Sequence, residues 1–168
     1  MTEAAGTVVC DAGPIIHLDE LGCLDLLVDF ASVLVPEEVW REVHRHRPSA
    51  LEQRSVLREV RIAPSNDDAA LRALVEALAL DRGEHEALAV ARSRPGSLLL
   101  TDDSGARLAA RALGVRSHGT VGVLVRAIRR QQRTREQVLE LLKELPERST
   151  LYIRRGLLLE VIRDVERS

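Results

Sequence analysis

The sequence predicts an α/β fold in which helices alternate with the strands of a central, mostly parallel sheet. The first observation is the apolar run 98–100, three leucines followed by polar residues and then by apolar residues at helical spacing. Such a run is typical of a strand that is buried on both faces. The second observation is that residues 7–10 begin the same strand–turn–helix order. Repeated units of this kind predict parallel strands joined by right-handed crossovers.

Length and composition limit the class of protein. The chain has 168 residues, enough for one domain with its own core. Apolar residues make up 45% and aromatic residues only 2%, so Leu, Val, Ala and Ile must fill that core. So few rings argue against a nucleic-acid-binding protein that works by stacking bases on aromatic side chains. The formal net charge of -2 provides no global basic field, and any nucleic-acid binding would need a local basic patch.

The N-terminus and the cysteines indicate where the protein works. Cys10 and Cys23 lie in apolar surroundings, and we interpret them as buried, reduced thiols because two thiols alone make no zinc site. Residues 1–6 form a short polar segment, unlike the apolar core of a signal peptide. No apolar run approaches the roughly 20 residues that cross a bilayer. We therefore expect a soluble, cytoplasmic protein with no membrane partner.

Periodicity and turn residues predict the remaining elements. Pro14 suits the first turn of a helix, and Gly114 suits a C-terminal cap. Residues 65–67 are expected to cap the helix that follows them, and residues 81–83 to form a turn. Residues 61–63 form either a short strand or a connection. The predicted strands are 7–10, 32–35, 98–100 and 115–117, and the predicted helices are 15–21, 23–27, 36–43, 49–60, 69–80, 84–91, 104–113, 120–128, 138–145 and 156–165.

Acidic residues follow two of the predicted strands. Asp11 ends the first strand, and Asp102 and Asp103 end the leucine strand. In open α/β sheets, ligands bind at the carboxyl ends of the strands. Each aspartate also suits a helix N-cap, a role that requires no ligand. Two adjacent carboxylates repel each other, however, so the pair favours a bound cation.

Two glutamates on predicted helices are further candidates. Glu42 lies beside an apolar helix face, where it either points into a cleft or is solvated. Glu84 and Glu86 diverge by roughly 200° on a helix, so only one of them faces a given cleft. Glu86 precedes small residues that indicate close helix packing, so we expect Glu86 near the interior and Glu84 towards the preceding turn.

Basic and hydroxyl residues complete the set of candidates. The segment with Arg126, Arg129 and Arg130 either contacts a nucleic-acid backbone or is a solvated helix end. Arg107 is a further candidate RNA contact. Thr120 is expected to bond a carboxylate or a metal-bound water, or to cap the helix after it. The hydroxyl residues expected to support the acidic site are Thr101, Ser104 and Thr120.

The candidate residues together suggest metal-assisted phosphate chemistry. A parallel sheet brings the carboxyl ends of its strands to one edge, and several carboxylates there cannot all ionise without a cation. Oxygen ligands without Cys or paired His favour Mg²⁺ or Mn²⁺. Such an ion supports phosphoryl transfer or phosphodiester cleavage. A phosphatase that forms a phosphoaspartate usually needs a second Asp two positions after the first, and this chain has Gly13 there.

Four sequence blocks occur in an order that is known from one family. They read VVCDAGPIIHL, VPEEVWREV, DRGEHEALAVA and LLLTDDSGARLAARALGVRSHGTVGVL. Together, from residue 8 to residue 124, they resemble the PIN-domain nucleases, and more narrowly the VapC-like toxin branch in a subgroup named for an uncharacterised domain. The resemblance implies a three-layer α/β/α sandwich and Mg²⁺- or Mn²⁺-dependent cleavage of single-stranded RNA. We expect a single PIN-like domain over residues 1–168, with residues 134–168 as a helical extension packed on it.

The resemblance also implies roles for individual residues. The family's acidic positions fall on Asp11, Glu42, Glu86 and Asp103, with Asp102 beside the last. We expect Asp11, Glu86 and Asp103 to hold the metal, with Asp102 as the other possible ligand, and Glu42 to orient or deprotonate the attacking water. The family pattern further implies the toxin of a toxin–antitoxin pair, a homodimer with a small antitoxin partner. The alternatives are a non-catalytic RNA- or protein-binding module of the same fold and, less favoured, a metal-dependent phosphatase.

Overall fold

The strands of the protein form one parallel sheet. The computed structural model describes residues 5–52, 56–60 and 68–168. Within them the sheet order is β3-β2-β1-β4-β5, and every neighbouring pair is parallel. The predicted α/β class with a parallel sheet is therefore confirmed. The strands are β1 (Ala5–Cys10), β2 (Phe30–Pro36), β3 (Leu57–Val60), β4 (Leu98–Leu100) and β5 (Arg116–His118).

Helices flank this sheet and complete a three-layer α/β/α sandwich, as expected. Two short 3-10 helices, Leu24–Asp29 and Pro48–Glu52, supplement them. None of the helices in the described ranges combines the length and the apolar character needed to span a membrane. The α-helices are α1 (Ala12–Glu20), α2 (Glu37–His46), α3 (Ala69–Ala77), α4 (Arg82–Arg92), α5 (Ser104–Ala112), α6 (Thr120–Arg129), α7 (Arg135–Arg148) and α8 (Arg155–Arg167).

The order in which the chain adds strands to the sheet reverses between β1 and β4. From β1 the strands proceed through β2 to β3 on one side, and then the chain returns to β4 and β5 on the other side. Asp11 N donates to Leu100 O at 2.8 Å, and Thr101 N donates to His118 O at 2.9 Å, so the strand ends stay joined. Such a switch point leaves a crevice at the carboxyl ends of the strands. The acidic residues after β1 and β4 border this crevice.

The core is aliphatic, as the composition requires. Leu99 and Leu100 are fully buried, in agreement with a strand covered on both faces. Cys10 and Cys23 are buried free thiols, and burial raises the pKa of both. After the sheet is complete, α7 packs on α6 and α8 packs on α7.

The predicted helix 49–60 is wrong. The structure has the 3-10 helix Pro48–Glu52 there, followed by β3, whose residues pair with β2 from Val33↔Leu57 to Pro36↔Val60. A short apolar run suits either helix or strand, and the open edge of β2 decides between them by tertiary pairing. The predicted connection at 61–63 lies outside the described residues.

Several predicted boundaries need correction, since α1 begins at Ala12 rather than at residue 15 and α3 ends at Ala77 rather than at residue 80. The cap of α3 is Asp68, whose Oδ1 accepts from the backbone N–H groups of Ala70 and Leu71, whereas the expected cap at 65–67 lies outside the described residues. Residues 82 and 83 belong to α4 rather than to a turn, because Asp81 caps that helix. Helix α7 continues through Pro146 to Arg148.

Candidate active site

An open cleft of about 840 Å³ lies over the carboxyl ends of β1 and β4. Its volume is in the range of small-molecule binding sites. A basic and apolar side faces the same space, formed by Arg107, His118 and the segment 151–154. Among the residues that line the cleft, six are acidic: Asp11, Glu42, Asp81, Glu84, Asp102 and Asp103.

Asp11 is the most deeply buried carboxylate of the cleft, with 6% of its surface exposed. It caps α1, because Oδ1 accepts from Ala12 N at 2.8 Å, and Oδ2 accepts from Thr101 Oγ1 at 2.8 Å. Burial raises the pKa of Asp11 to about 6, although both hydrogen bonds oppose the shift. The negative charges of Asp81 and Glu42 raise it further. The capping role and a ligand role are therefore compatible here, as the sequence suggested.

Asp102 is saturated with hydrogen bonds. Its Oδ1 accepts from Thr120 N at 2.7 Å, and its Oδ2 accepts from Thr120 Oγ1 at 2.6 Å and from His17 Nδ1 at 2.7 Å. Burial opposes ionisation of Asp102, but these hydrogen bonds outweigh it and lower its pKa. A Cβ at Gly119 would lie 2.6 Å from Oδ1, so only glycine allows this approach. Asp102 thus joins α1 to α6 as an anion.

Asp103 is held differently from its neighbour. Its Oδ1 caps α5 by accepting from Ala106 N at 2.7 Å, while its own N–H donates to Thr101 Oγ1 at 3.2 Å. Thr101 therefore bonds both Asp11 and Asp103, a supporting role that the sequence predicted for it. Ser104, the first residue of α5, lines the cleft beside them. Of the adjacent pair, Asp103 keeps the larger capacity for a further ligand.

Asp81 and Glu84 enter the cleft together at the start of α4. Glu84 N donates to Asp81 Oδ1 and Asp81 N donates to Glu84 Oε2, each at 2.8 Å, which is a reciprocal capping box. Burial raises the pKa of Glu84 to about 7. The charges of Asp81, Asp103 and Asp11 add to that shift, against the hydrogen bond from Asp81 N. Glu84 is therefore electrostatically part of the acidic group.

Glu42 reaches the cleft from α2, as the sequence analysis considered. Burial raises its pKa, the charge of Asp81 adds to the shift, and Arg45 opposes it. Its Oε2 lies 3.2 Å from the position that a Cβ on Gly83 would occupy. The absence of a side chain at residue 83 therefore gives α2 and α4 room to bring Glu42 beside Asp81.

Glu86 does not share this cleft, contrary to the expectation. Its Oε2 accepts from Glu38 N at 2.9 Å, so it caps the first turn of α2 from the neighbouring helix. The small residues after Glu86 do pack inward, but the side chain of Glu86 is used between the two helices. Glu84, which was expected to face the turn, is the α4 glutamate that lines the cleft.

The burial of these carboxylates, together with their mutual repulsion, tests whether a cation fits. Asp11, Glu42 and Glu84 all have raised pKa values, which a divalent cation between them would reverse. Across the described ranges, no three acidic, His or Cys side chains are already close enough to hold one ion jointly. Mg²⁺ keeps several waters and needs only one or two carboxylates. The donor set thus fits a hydrated hard cation rather than a closed protein cage.

The basic candidates divide into two groups. Arg126 and Arg130 both pair with Asp29, and the Arg126 guanidinium lies 4.3 Å from the centroid of the Phe30 ring. Their predicted availability for RNA is therefore not supported, because these pairs tie α6 to the end of the first 3-10 helix. Arg107 is exposed and lines the cleft.

Arg129 is also exposed, and its charge reaches the cleft. Burial lowers the pKa of His118, and the positive charges of Arg129, Arg116 and Arg126 lower it further. Since His118 lines the cleft, these arginines are near enough to the side formed by β5 and α6 to act on its charges. Arg107 and Arg129 thus remain candidates for contacts with an anionic substrate.

Several residues of the cleft were not singled out from the sequence, among them His17, Asp81 and Tyr152, and Glu84 was considered there but expected to face the turn. The spacing of Asp81 and Glu84 is a capping-box signal that would have placed the helix start correctly. His17 meets Asp102 from 85 positions away, a contact without a local signal. Tyr152 lies beyond the family-like blocks, and nothing in its local sequence marks it.

The fold and the site define an α/β/α protein with an acidic cleft at a topological switch point. A family model described as a PIN domain matches residues 7–167, and the chain therefore belongs to the PIN-domain family. Members of this family have a nuclease fold and typically use divalent metal ions. No curated protein matches the chain. The resemblance noted in the sequence is thus confirmed at the level of the family.

Proposed function

We propose that this protein is a metal-dependent endoribonuclease that cleaves single-stranded RNA with Mg²⁺ or Mn²⁺. The observation that carries the proposal is Asp11, a buried carboxylate at the switch point of a nuclease fold whose pKa is raised to about 6. A buried anion near other carboxylates is unfavourable unless a cation is bound. Oxygen ligands favour the hard divalent ions that assist phosphodiester hydrolysis.

The carboxylates have different roles in this proposal. Asp11 and Asp103 would bind the ion directly, Glu84 would contact it through a coordinated water, and further water would complete the coordination. When bound there, the ion supplies Lewis-acid stabilisation of a phosphate and lowers the pKa of a coordinated water. Glu42, whose pKa is raised, accepts the proton of the attacking water. Asp102 positions His17 and Thr120 at the cleft through its hydrogen bonds.

Asp11→Asn tests the proposal directly. We expect wild type to cut a labelled single-stranded RNA when Mn²⁺ or Mg²⁺ is added, and to stop when a chelator is added. The Asn variant should lose about a hundredfold or more in kcat/KM, because a neutral amide provides no anionic oxygen for the cation. Equal cleavage by the two proteins would contradict the assignment. Asp164→Asn, at an exposed site on α8, is the matched control.

The toxin role extends the same proposal. An inhibitory partner would be a small antitoxin, and the active form would be a homodimer, both suggested by the family resemblance. We expect expression of wild type to arrest growth of a bacterial host and expression of Asp11→Asn to permit it. Growth with both proteins would contradict the toxin role and leave the nuclease assay to decide the enzymatic role.

A non-catalytic RNA-binding module is the second candidate. It is favoured by the lack, within the described residues, of three side chains already arranged around one ion. A binding module of this kind should bind RNA but not cleave it at any concentration of Mn²⁺ or Mg²⁺. Binding and cleavage measured on the same labelled RNA separate the two functions.

A further inference from the structure

The connection between α7 and α8 forms one wall of the acidic cleft. Residues 151–154 line the same space as Asp11 and Asp103. Leu151 and Ile153 are half-buried and pack against the core, whereas Tyr152 between them is 87% exposed. This alternation is that of an extended chain, in which neighbouring side chains point to opposite sides. The Tyr152 ring is consequently displayed at the cleft rather than folded into the protein.

Hydrogen bonds fix the backbone that carries this ring. Glu20 on α1 accepts from Ser149 Oγ and from Thr150 N, each at 2.8 Å, and from Thr150 Oγ1 at 2.9 Å. Arg148 Nη2 donates to Leu21 O at 3.0 Å. Because Asp11 also caps the start of α1, one helix positions both the buried carboxylate and the segment before Tyr152. Such fixed placement reduces the entropy lost on binding a ligand.

We infer that Tyr152 stacks on a base of single-stranded RNA bound in the cleft, an inference that rests on the proposed nuclease function. An exposed aromatic face beside basic side chains is the usual platform for an unpaired base. Arg154 and Arg107 line the same cleft and supply cations for the adjoining phosphates. Phe30 is 7% exposed and lies under Arg126, so its ring is already used.

One ring is enough for this role. The low aromatic content argues against a protein that binds nucleic acid by stacking many bases, and the structure contains no such array within the described residues. A single tyrosine beside the carboxylates fixes one nucleotide instead. That nucleotide sets which phosphodiester lies near Asp11, so Tyr152 determines the position of cleavage relative to the stacked base.

The test combines a protein variant with removal of single bases. Wild type, Tyr152→Ala and Tyr152→Phe are compared on a 12-nucleotide RNA and on the series in which each base in turn is replaced by an abasic site. Binding is measured by fluorescence anisotropy in a chelator, and kcat and KM are measured with Mn²⁺. We expect Ala to weaken binding and raise KM by about 5- to 150-fold, the usual range for one stacked base. Phe should stay near wild type.

The abasic series separates stacking from a structural effect. In wild type, one abasic position should weaken binding as much as Tyr152→Ala does, and in the Ala variant the same abasic position should cost almost nothing further. Leu159→Ala, an exposed apolar substitution on α8, is the matched control and should leave the profile unchanged. Additive losses in the double change would overturn the inference.

The remaining outcomes are distinguishable from failure of the proposed function. If wild type binds and Tyr152→Ala binds equally well, the stacking inference fails and the nuclease proposal stands. If wild type binds RNA but does not cut it, the nuclease proposal fails and the anisotropy series still decides on stacking. If wild type does neither, both fail. If Tyr152→Ala changes the oligomeric state of the protein but leaves RNA binding unchanged, the ring belongs to a protein interface and the inference is overturned.

Discussion

Thr101 Oγ1 donates to Asp11 Oδ2 at 2.8 Å across the seam between β4 and β1. Both residues are buried, and 90 positions separate them in the chain. The bond stabilises the ionised form of a carboxylate whose pKa burial raises. The largest contribution that favours the ionised form of Asp11 therefore comes from the neighbouring strand of the sheet.

Thr101→Val should destabilise the protein by about 2 kcal/mol at pH 8, because it leaves a buried carboxylate oxygen without its donor. It should also raise the pKa of Asp11 further, so the loss should shrink below pH 6, where Asp11 is protonated. Urea unfolding at pH 5 and pH 8 measures both effects. Thr7→Val, at the opposite end of β1, is the control and should show no such pH dependence. An equal loss at both pH values would contradict the charge-dependent role.

Asp11→Asn should change how stability depends on pH. Asp11 in the folded state keeps its proton up to about pH 6, whereas the ordinary pKa of an aspartate carboxyl group is 3.8. The folded state thus binds more protons between these pH values, and its stability falls as the pH rises through them. Without divalent ions, the stability of the Asp11→Asn variant relative to wild type should therefore increase by about 1–3 kcal/mol from pH 4 to pH 8.

Chemical denaturation in a chelator at several pH values measures this difference. Mn²⁺ should then stabilise wild type more than the Asn variant, because binding to the folded state alone raises stability by mass action. The exposed substitution Asp164→Asn should reproduce neither effect. A relative stability that stays constant from pH 4 to pH 8 would show that Asp11 is not the buried acid described.

Glu84 and Glu86 offer a matched pair two residues apart on α4. Glu84→Gln should lower kcat/KM for RNA at least tenfold, because it removes a negative charge from the cleft. Glu86→Gln should stay within about twofold, because its amide oxygen still accepts from Glu38 N. Glu86→Ala should instead lose about 1 kcal/mol of folding stability through the missing cap on α2. Loss of cleavage in Glu86→Gln with an active Glu84→Gln would restore the sequence-based assignment.

The sequence predicted the parts of the site that depend on strand ends. Asp11 follows its apolar run directly, Asp102 and Asp103 follow the leucine run after Thr101, and the carboxyl ends of parallel strands necessarily share one edge. The distribution of roles between Asp102 and Asp103 was not predictable. It depends on His17 and Thr120, which reach Asp102 from distant elements.

Helix faces and long-range ion pairs were harder to predict. The orientation of Glu84 depends on the helix start that Asp81 sets, and an error there exchanges Glu84 with Glu86. The pairing of Arg130 with Asp29 spans 101 positions, so a local basic pattern could not reveal that its charge is used internally. The first error thus comes from a local capping signal that was not used, whereas in the second the tertiary contact determines which way the side chain points.

Glu42→Gln should abolish cleavage while largely keeping metal binding, because a neutral amide cannot accept a proton from water. Its raised pKa also makes it a stronger base than an ordinary glutamate. Calorimetry with Mn²⁺ and single-turnover cleavage, done on the same preparation, separate binding from chemistry. If metal binding disappears in the Gln variant, Glu42 is a ligand rather than the base.

Substitutions of the two arginines should differ in how they change the salt dependence of RNA affinity. Arg107→Ala should reduce the slope of log affinity against log salt by about 1, as expected for loss of one phosphate contact. Arg126→Ala should leave the slope unchanged and lower folding stability by about 1–2 kcal/mol, because it breaks the contacts with Asp29 and Phe30. Anisotropy titrations give the salt slope over roughly 50 to 200 mM salt, the range where such slopes are measured. Urea unfolding gives the folding stability. A reduced slope in Arg126→Ala with full stability would show that its guanidinium contacts RNA after all, because the ion pair with Asp29 would then contribute little to the fold.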